Sequence, residues 1–265
     1  GDFRGHGRKA VCLDRFISGA TPNADLLLTE GSMLGRKDEE ILTEDELQAA
    51  SFDMISQSTG ITLFQTSSQN IDRLVSFYKA AQKARKIFVV DVYTANVLYE
   101  LRQLGNNRLP YPSAEYKDIK VFYPYFMTQK IFNEIGDEYA KRFSAFHISK
   151  ENLALHQSEI VMCVRPSMYF DLEKCSLHGG TFIYSMWQGY RESEYQKRFE
   201  VKLTKLHFKA EFLHTSGHAA IEDIKRVMTG LNPQKIIPIH TMYPDDFLAF
   251  SDKVEVVKDG VEMNI

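Results

Sequence analysis

No apolar run in this 265-residue sequence approaches the roughly 20 residues that a membrane-spanning helix needs. No membrane partner is therefore expected. Cysteine is scarce: Cys12, Cys163 and Cys175 are odd in number and form no CxxC pair. That argues against a disulfide framework and for idle or buried thiols in a reducing cytoplasm. There is no excess of basic charge either, with 32 Lys and Arg against 35 Asp and Glu and a formal net charge of −3. Without a global basic field, any nucleic-acid contact must rest on local patches. Nothing repeats internally and no stretch is of low complexity. The chain opens on Gly1-Asp2-Phe3-Arg4 without an initiator Met or a signal peptide, so it is expected to begin inside a domain.

The sequence does contain alternating strand and helix signals. Leu26 to Thr29 reads as a short buried strand that stops at Glu30, before a loop from Gly31 to Arg36. Thr43 and Glu46 have capping-box spacing, followed by Leu47, Ala50, Met54 and Ile55 at helical spacing. Ile61 to Phe64 is a second strand, and Ser67 and Ser68 are placed to cap a helix carrying Ile71, Leu74, Val75, Tyr78 and Ala81. Ile87 to Val90 and Ile160 to Val164 are apolar without alternation, as buried parallel strands require. Further expectations are a helix from Ala95 to Leu104, strands at Val121 to Tyr123 and Phe182 to Tyr184, and a mostly helical stretch from Tyr125 to Leu155. In the last third, Val201 to Leu213 reads as alternating β structure, with Lys205, His207 and Lys209 on a solvated face. Ala220 to Met228 reads as a helix closed by Gly230, Lys235 to Ile239 as a strand, and Asp259-Gly260 as a hairpin turn. The whole pattern is α/β, with the first and last parts together and the middle inserted.

Polar residues gather at the ends of apolar strands in four places: Asp2, Glu30, the Ser216-Gly217-His218 turn, and His240. Strand ends in α/β folds face the crevice where ligands bind. Each also has an ordinary reading, as a turn residue, a loop acid, a helix-start histidine and a core histidine respectively. Taken together they describe a site. Ser216 and Gly217 precede a helix, where free backbone N–H groups favour an anion such as phosphate. Ser67 and Ser68 offer a second such helix start. His218 is placed to protonate a departing oxygen. His240 is a candidate metal ligand, and Glu30 a carboxylate that orients a histidine.

Five strings carry a resemblance. Gly1-Asp2-Phe3-Arg4-Gly5-His6-Gly7-Arg8-Lys9 resembles the fourth metallo-β-lactamase motif, whose aspartate bridges two metals. Leu26 to Ser32 with Glu30, Ser216-Gly217-His218, and Pro238-Ile239-His240-Thr241 resemble motifs A, B and C of the β-CASP ribonucleases, the group of ribonuclease J and the cleavage-and-polyadenylation nuclease. Thr66 to Arg73 resembles the first helix of the β-CASP insertion.

The resemblance implies a partial metallo-β-lactamase αββα sandwich with an inserted β-CASP α/β domain. The core is then expected at 1–58 and 187–265, and the insertion at 59–186. It implies a metal-dependent RNA phosphodiester hydrolase with two zinc ions, or manganese, and a water-derived hydroxide attacking the scissile phosphate. Asp2, Glu30 and His218 take catalytic roles, Asp2 and His240 ligate metal, and Ser216, Gly217, Ser67 and Ser68 contact phosphate. A histidine at motif C favours single-stranded RNA over DNA, held in a cleft between the domains; a homo-oligomer is compatible with it. The HxHxDH signature expected upstream of the aspartate does not occur here. His6 follows Asp2 and is expected to be structural. The sequence by itself is thus expected to bind zinc weakly and to be inactive alone. The rival readings are a non-catalytic RNA-binding or scaffold subunit of an RNA-processing complex, and a DNA or small-molecule metallohydrolase. Arg165-Pro166-Ser167 and Ser185-Met186-Trp187 either line an RNA cleft or are ordinary strand-end loops.

Overall fold

The computed structural model describes residues 2–36, 41–105 and 108–262. Gly1, which opens the first of the strings above, lies outside them. In chain order the elements begin with α1 (Val11–Gly19), β1 (Leu26–Glu30), α2 (Glu44–Gln57), β2 (Ile61–Gln65), α3 (Ile71–Lys83), β3 (Ile87–Asp91) and α4 (Val92–Gln103). Next come β4 (Ile119–Phe122), α5 (Tyr125–Glu134), α6 (Asp137–Lys141), α7 (Lys150–Leu155), β5 (Ile160–Cys163), α8 (Tyr169–Glu173) and β6 (Gly180–Tyr184). The last are α9 (Gln188–Arg191), α10 (Glu194–Lys205), β7 (Phe208–Phe212), α11 (Ile221–Leu231) and β8 (Lys235–Ile239). The fold is α/β with parallel sheets.

The chain divides into two compact units, Gly1–Glu44 with Thr215–Ile265, and Asp45–His214. The second unit runs beyond the 59–186 expected for the insertion at both ends. At the C-terminal end the reason is visible in the pairing: β7 completes the sheet of the second unit by lying parallel to β6, Phe182 opposite Ala210.

The Asp45–His214 unit is built on a six-stranded sheet in the order β4-β3-β5-β2-β6-β7, every pairing parallel. Its two central strands, β5 and β2, are buried along their length, as the unbroken apolar run of β5 requires. Leu63, Met162, Phe182, Phe199 and Leu203 belong to one core cluster. Phe77 of α3 stacks on Phe64 of β2 with ring centroids 4.1 Å apart. Arg73 is fully buried, and its guanidinium donates to the Ser185 carbonyl (3.0 Å) and hydroxyl (2.7 Å). Such bonds offset the desolvation of a buried cation.

The smaller unit holds a two-stranded parallel sheet, β1 beside β8, with Glu30 opposite Ile239. That register brings the end of β1 and the residue after β8, His240, to one edge. Helix α11 buries Ile224, Val227, Met228 and Leu231, spaced three and four apart on one face. Val227 and Leu231 meet Leu13 of α1 and Leu27 of β1, while Ile224 and Met228 meet Ile236 and Phe247. Each such side chain contributes about 1.5–3 kcal/mol when fully buried.

Several local expectations are corrected. Val201 to Leu213 is not continuous β structure: α10 runs to Lys205, His207 turns the chain at φ +63°, and only Phe208–Phe212 is strand. Gly230 does not close α11. It lies inside the helix against Ile17, where a side-chain carbon would overlap Ile17, and the helix closes on Asn232 in the left-handed conformation. The cap of α3 is Asn70, which accepts from the Arg73 amide, and not Ser67 or Ser68. Asp259-Gly260 is a turn with no flanking strand among the described residues.

Candidate functional site

The site forms within the smaller unit, at the ends of β1 and β8. Glu30 is the last residue of β1 and is 2% exposed. A buried carboxylate must be bonded to be tolerated. Its Oε1 accepts from the amides of Phe3 (3.1 Å) and Ala219 (3.2 Å), and its Oε2 lies 3.0 Å from His218 Nδ1. Three charge-assisted bonds fix both carboxylate and ring. With Nδ1–H donated to Glu30, Nε2 is the ring nitrogen left for a ligand.

Asp2 stands between two imidazoles. Its Oδ1 is 3.1 Å from His240 Nδ1 and its Oδ2 is 3.7 Å from His218 Nδ1. The two histidine rings meet at 5.4 Å, inclined at 62°. His240 is held at φ +49°, a conformation that non-glycine residues rarely adopt. Ser32 fastens it there: its hydroxyl donates to the His240 carbonyl at 3.0 Å and lies 3.3 Å from Nδ1.

The loop before α11 is fastened from the other side. Arg4 Nη1 and His6 Nε2 both donate to the Ser216 carbonyl, at 3.1 and 2.8 Å. The Gly5 amide donates to Asp223 at 2.9 Å, and the His218 amide to Ser216 Oγ at 3.1 Å. Gly5 is required there, because a side-chain carbon would overlap the Asp223 carboxylate. Burial holds the His6 imidazole below its ordinary pKa of 6.5, against the opposing pull of its bond to Ser216.

Asp2, Glu30, His218 and His240 thus come together, each offering one ligand atom within 4.8 Å of the others. Tetrahedral zinc with bonds of about 2.0–2.1 Å sets its ligand atoms about 3.3 Å apart, close to the Asp2–His240 separation. Oxygen and imidazole donors suit zinc or manganese. The fit is partial: Glu30 and His218 are committed to each other, leaving Asp2 and His240 as first ligands, whereas catalytic zinc uses three protein ligands.

Ser216 and Gly217 lie in this unit beside His218. Ser67 and Ser68 belong to the other one. There Ser68 is buried, with its hydroxyl 2.7 Å from Thr94 Oγ1 and bonded to Arg165, while Ser67 accepts from the Gln69 amide. Arg165 pairs with Asp91 at 2.7 Å, and Trp187 packs edge-on against Tyr190. Sequence reasoning placed Ser32 and Arg4 inside motif strings without giving either a role, and gave His6 no partner. Their partners lie more than 200 residues away, and no local spacing signals them.

Comparison with known proteins bears on the same region. Residues 205–265 match the model of a family described as the Zn-dependent metallo-hydrolase RNA specificity domain. That segment contains His218 and His240. No curated protein matches the chain. Among solved structures, a protein of unknown function from Enterococcus faecalis V583 is similar over 97% of this chain, with a TM-score of 0.70 and 20% sequence identity. The chain spans 55% of that protein's length, and the likeness shows the fold alone.

Proposed function

We propose that these residues form part of the active centre of a metal-dependent hydrolase of RNA phosphodiester bonds, of the β-CASP ribonuclease kind. The observation that carries the reading is the Glu30–His218 pair set against the Asp2–His240 pair. The match of residues 205–265 to an RNA specificity domain supports the choice of RNA. On this reading Asp2 and His240 hold metal. Zinc or manganese, when bound there, would supply Lewis acidity at the phosphate and would ease loss of a proton from the attacking water.

The chain's own residues do the rest. Glu30 keeps the His218 proton on Nδ1 and the ring in one orientation, as carboxylates do for catalytic imidazoles. In its imidazolium form, with a second proton taken from solvent onto Nε2, His218 hydrogen-bonds the scissile phosphate through Nε2–H and gives that proton to the departing oxygen. The Ser216-Gly217 turn, ahead of the α11 N-terminus, contributes backbone N–H groups to the phosphate. Asp2, facing both imidazoles, sets the distance between the metal ligands and the proton donor.

The test uses the longest natural chain that contains these residues, loaded with zinc or manganese. It is offered single-stranded RNA, single-stranded DNA and a small ester in parallel. Cleavage of the RNA in preference to the others is expected. Full metal loading with intact RNA, or with only DNA or ester hydrolysed, overturns the reading.

A further inference from the structure

We propose that Arg4 and His6 are positioning residues: together they hold the Ser216-Gly217-His218 turn, and through it His218, in register with Asp2. The consequence for catalysis rests on the function proposed above; the positioning itself does not.

Two donors converge on one acceptor. The Ser216 carbonyl receives Arg4 Nη1 and His6 Nε2, both from a segment more than 200 residues earlier. Ser216 is 3% exposed. Its hydroxyl accepts the His218 amide, so Ser216 is the hub through which the pull reaches His218. The next amide, of Ala219, donates to Glu30, the same carboxylate that orients the His218 ring.

The segment after Asp2 is tied at each step. Phe3 donates to Glu30, Arg4 to Ser216 and Glu44, Gly5 to Asp223, and the His6 carbonyl accepts from the Glu44 amide. Asp2 is thereby carried on a segment anchored to the very turn that bears His218. Moving either without the other breaks several buried bonds at once.

The His6 ring itself points to this role. A carbonyl only accepts, so the hydrogen must sit on Nε2. Nδ1 is then a bare acceptor, buried and without a partner among the described residues. An orphaned buried acceptor is unfavourable, and a phenylalanine would fill similar space without one. What imidazole provides that phenylalanine lacks is the Nε2–H donated to Ser216.

The test reads His218 directly, by side-chain nitrogen NMR on the full natural chain. His6→Phe removes the donor and keeps the bulk. The signature of a protonated Nδ1 on His218 should be lost or averaged, while resonances of the Asp45–His214 unit stay in place. His6→Gln, whose amide can donate to the same carbonyl, should restore it. In RNA cleavage, His6→Phe should lower kcat about 10–100-fold with KM within about two-fold and unchanged metal content, as small misplacements of a reacting group do. A folded His6→Phe protein with an unaltered His218 signature overturns the proposal. Should His6→Phe not fold, Arg4→Met removes the other donor and is judged by the same signature. A protein whose signature moves as stated, yet which cleaves no RNA at all, supports the positioning and contradicts the functional reading.

Discussion

Glu30 Oε2 lies 3.0 Å from His218 Nδ1, and the same carboxylate accepts the Phe3 and Ala219 amides through Oε1. One buried side chain thus joins the end of β1, the segment that carries Asp2 and the turn that carries His218. Glu30→Gln keeps the shape and replaces an acceptor oxygen with an amide nitrogen. The variant should lose about 1–3 kcal/mol of stability in a urea or guanidinium titration, the usual cost of leaving a buried polar group mispaired.

Stability should depend on pH through His6. Its folded pKa lies below the ordinary value of 6.5, because burial disfavours the charged ring. The unfolded chain then binds the proton more readily than the folded one. The His6 contribution is fully present above pH 6.5 and is lost as pH falls from there through the folded pKa. Denaturation midpoints measured between pH 8 and pH 5 should fall less steeply in His6→Gln than in the parent.

Gly5→Ala tests the fastening of the first segment. The added carbon would overlap the Asp223 carboxylate, which is already bonded to the Gly5 amide and to Arg226. Overpacking of a fixed contact costs about 1–3 kcal/mol. Thermal or chemical denaturation should show that loss, and the Ile17-facing Gly230→Ala should show one as well, by crowding α1 against α11.

Much of this molecule was legible in its sequence where the signal is local. The unbroken runs Ile87 to Val90 and Ile160 to Val164 announce parallel strands, because both faces of the sheet are covered. Glu30 and His240 announce themselves as polar residues at apolar strand ends, whereas Asp2 follows no described strand and His218 lies in the turn before α11. Legibility ends where two periods coincide. Phe199, Val201 and Leu203 alternate as a strand would, yet Gln196, Phe199 and Leu203 are buried as one helical face of α10. It also ends where a residue answers to a distant partner. Gly230 follows a helix pattern that fits a C-terminal signal, but its reason is the close approach of Ile17. Ser32 and Arg4 look like ordinary loop residues until the fold sets them against His240 and Ser216.

The central claim divides the two histidines by role, and metal content measured beside RNA cleavage in two variants tests it most directly. His240→Ala should lower bound metal and RNA cleavage together, because it removes a ligand. His218→Ala should keep its metal and lose about 10²–10⁴-fold in rate, the range of a general acid. Full metal in His240→Ala, or unchanged RNA turnover in His218→Ala, would contradict the account.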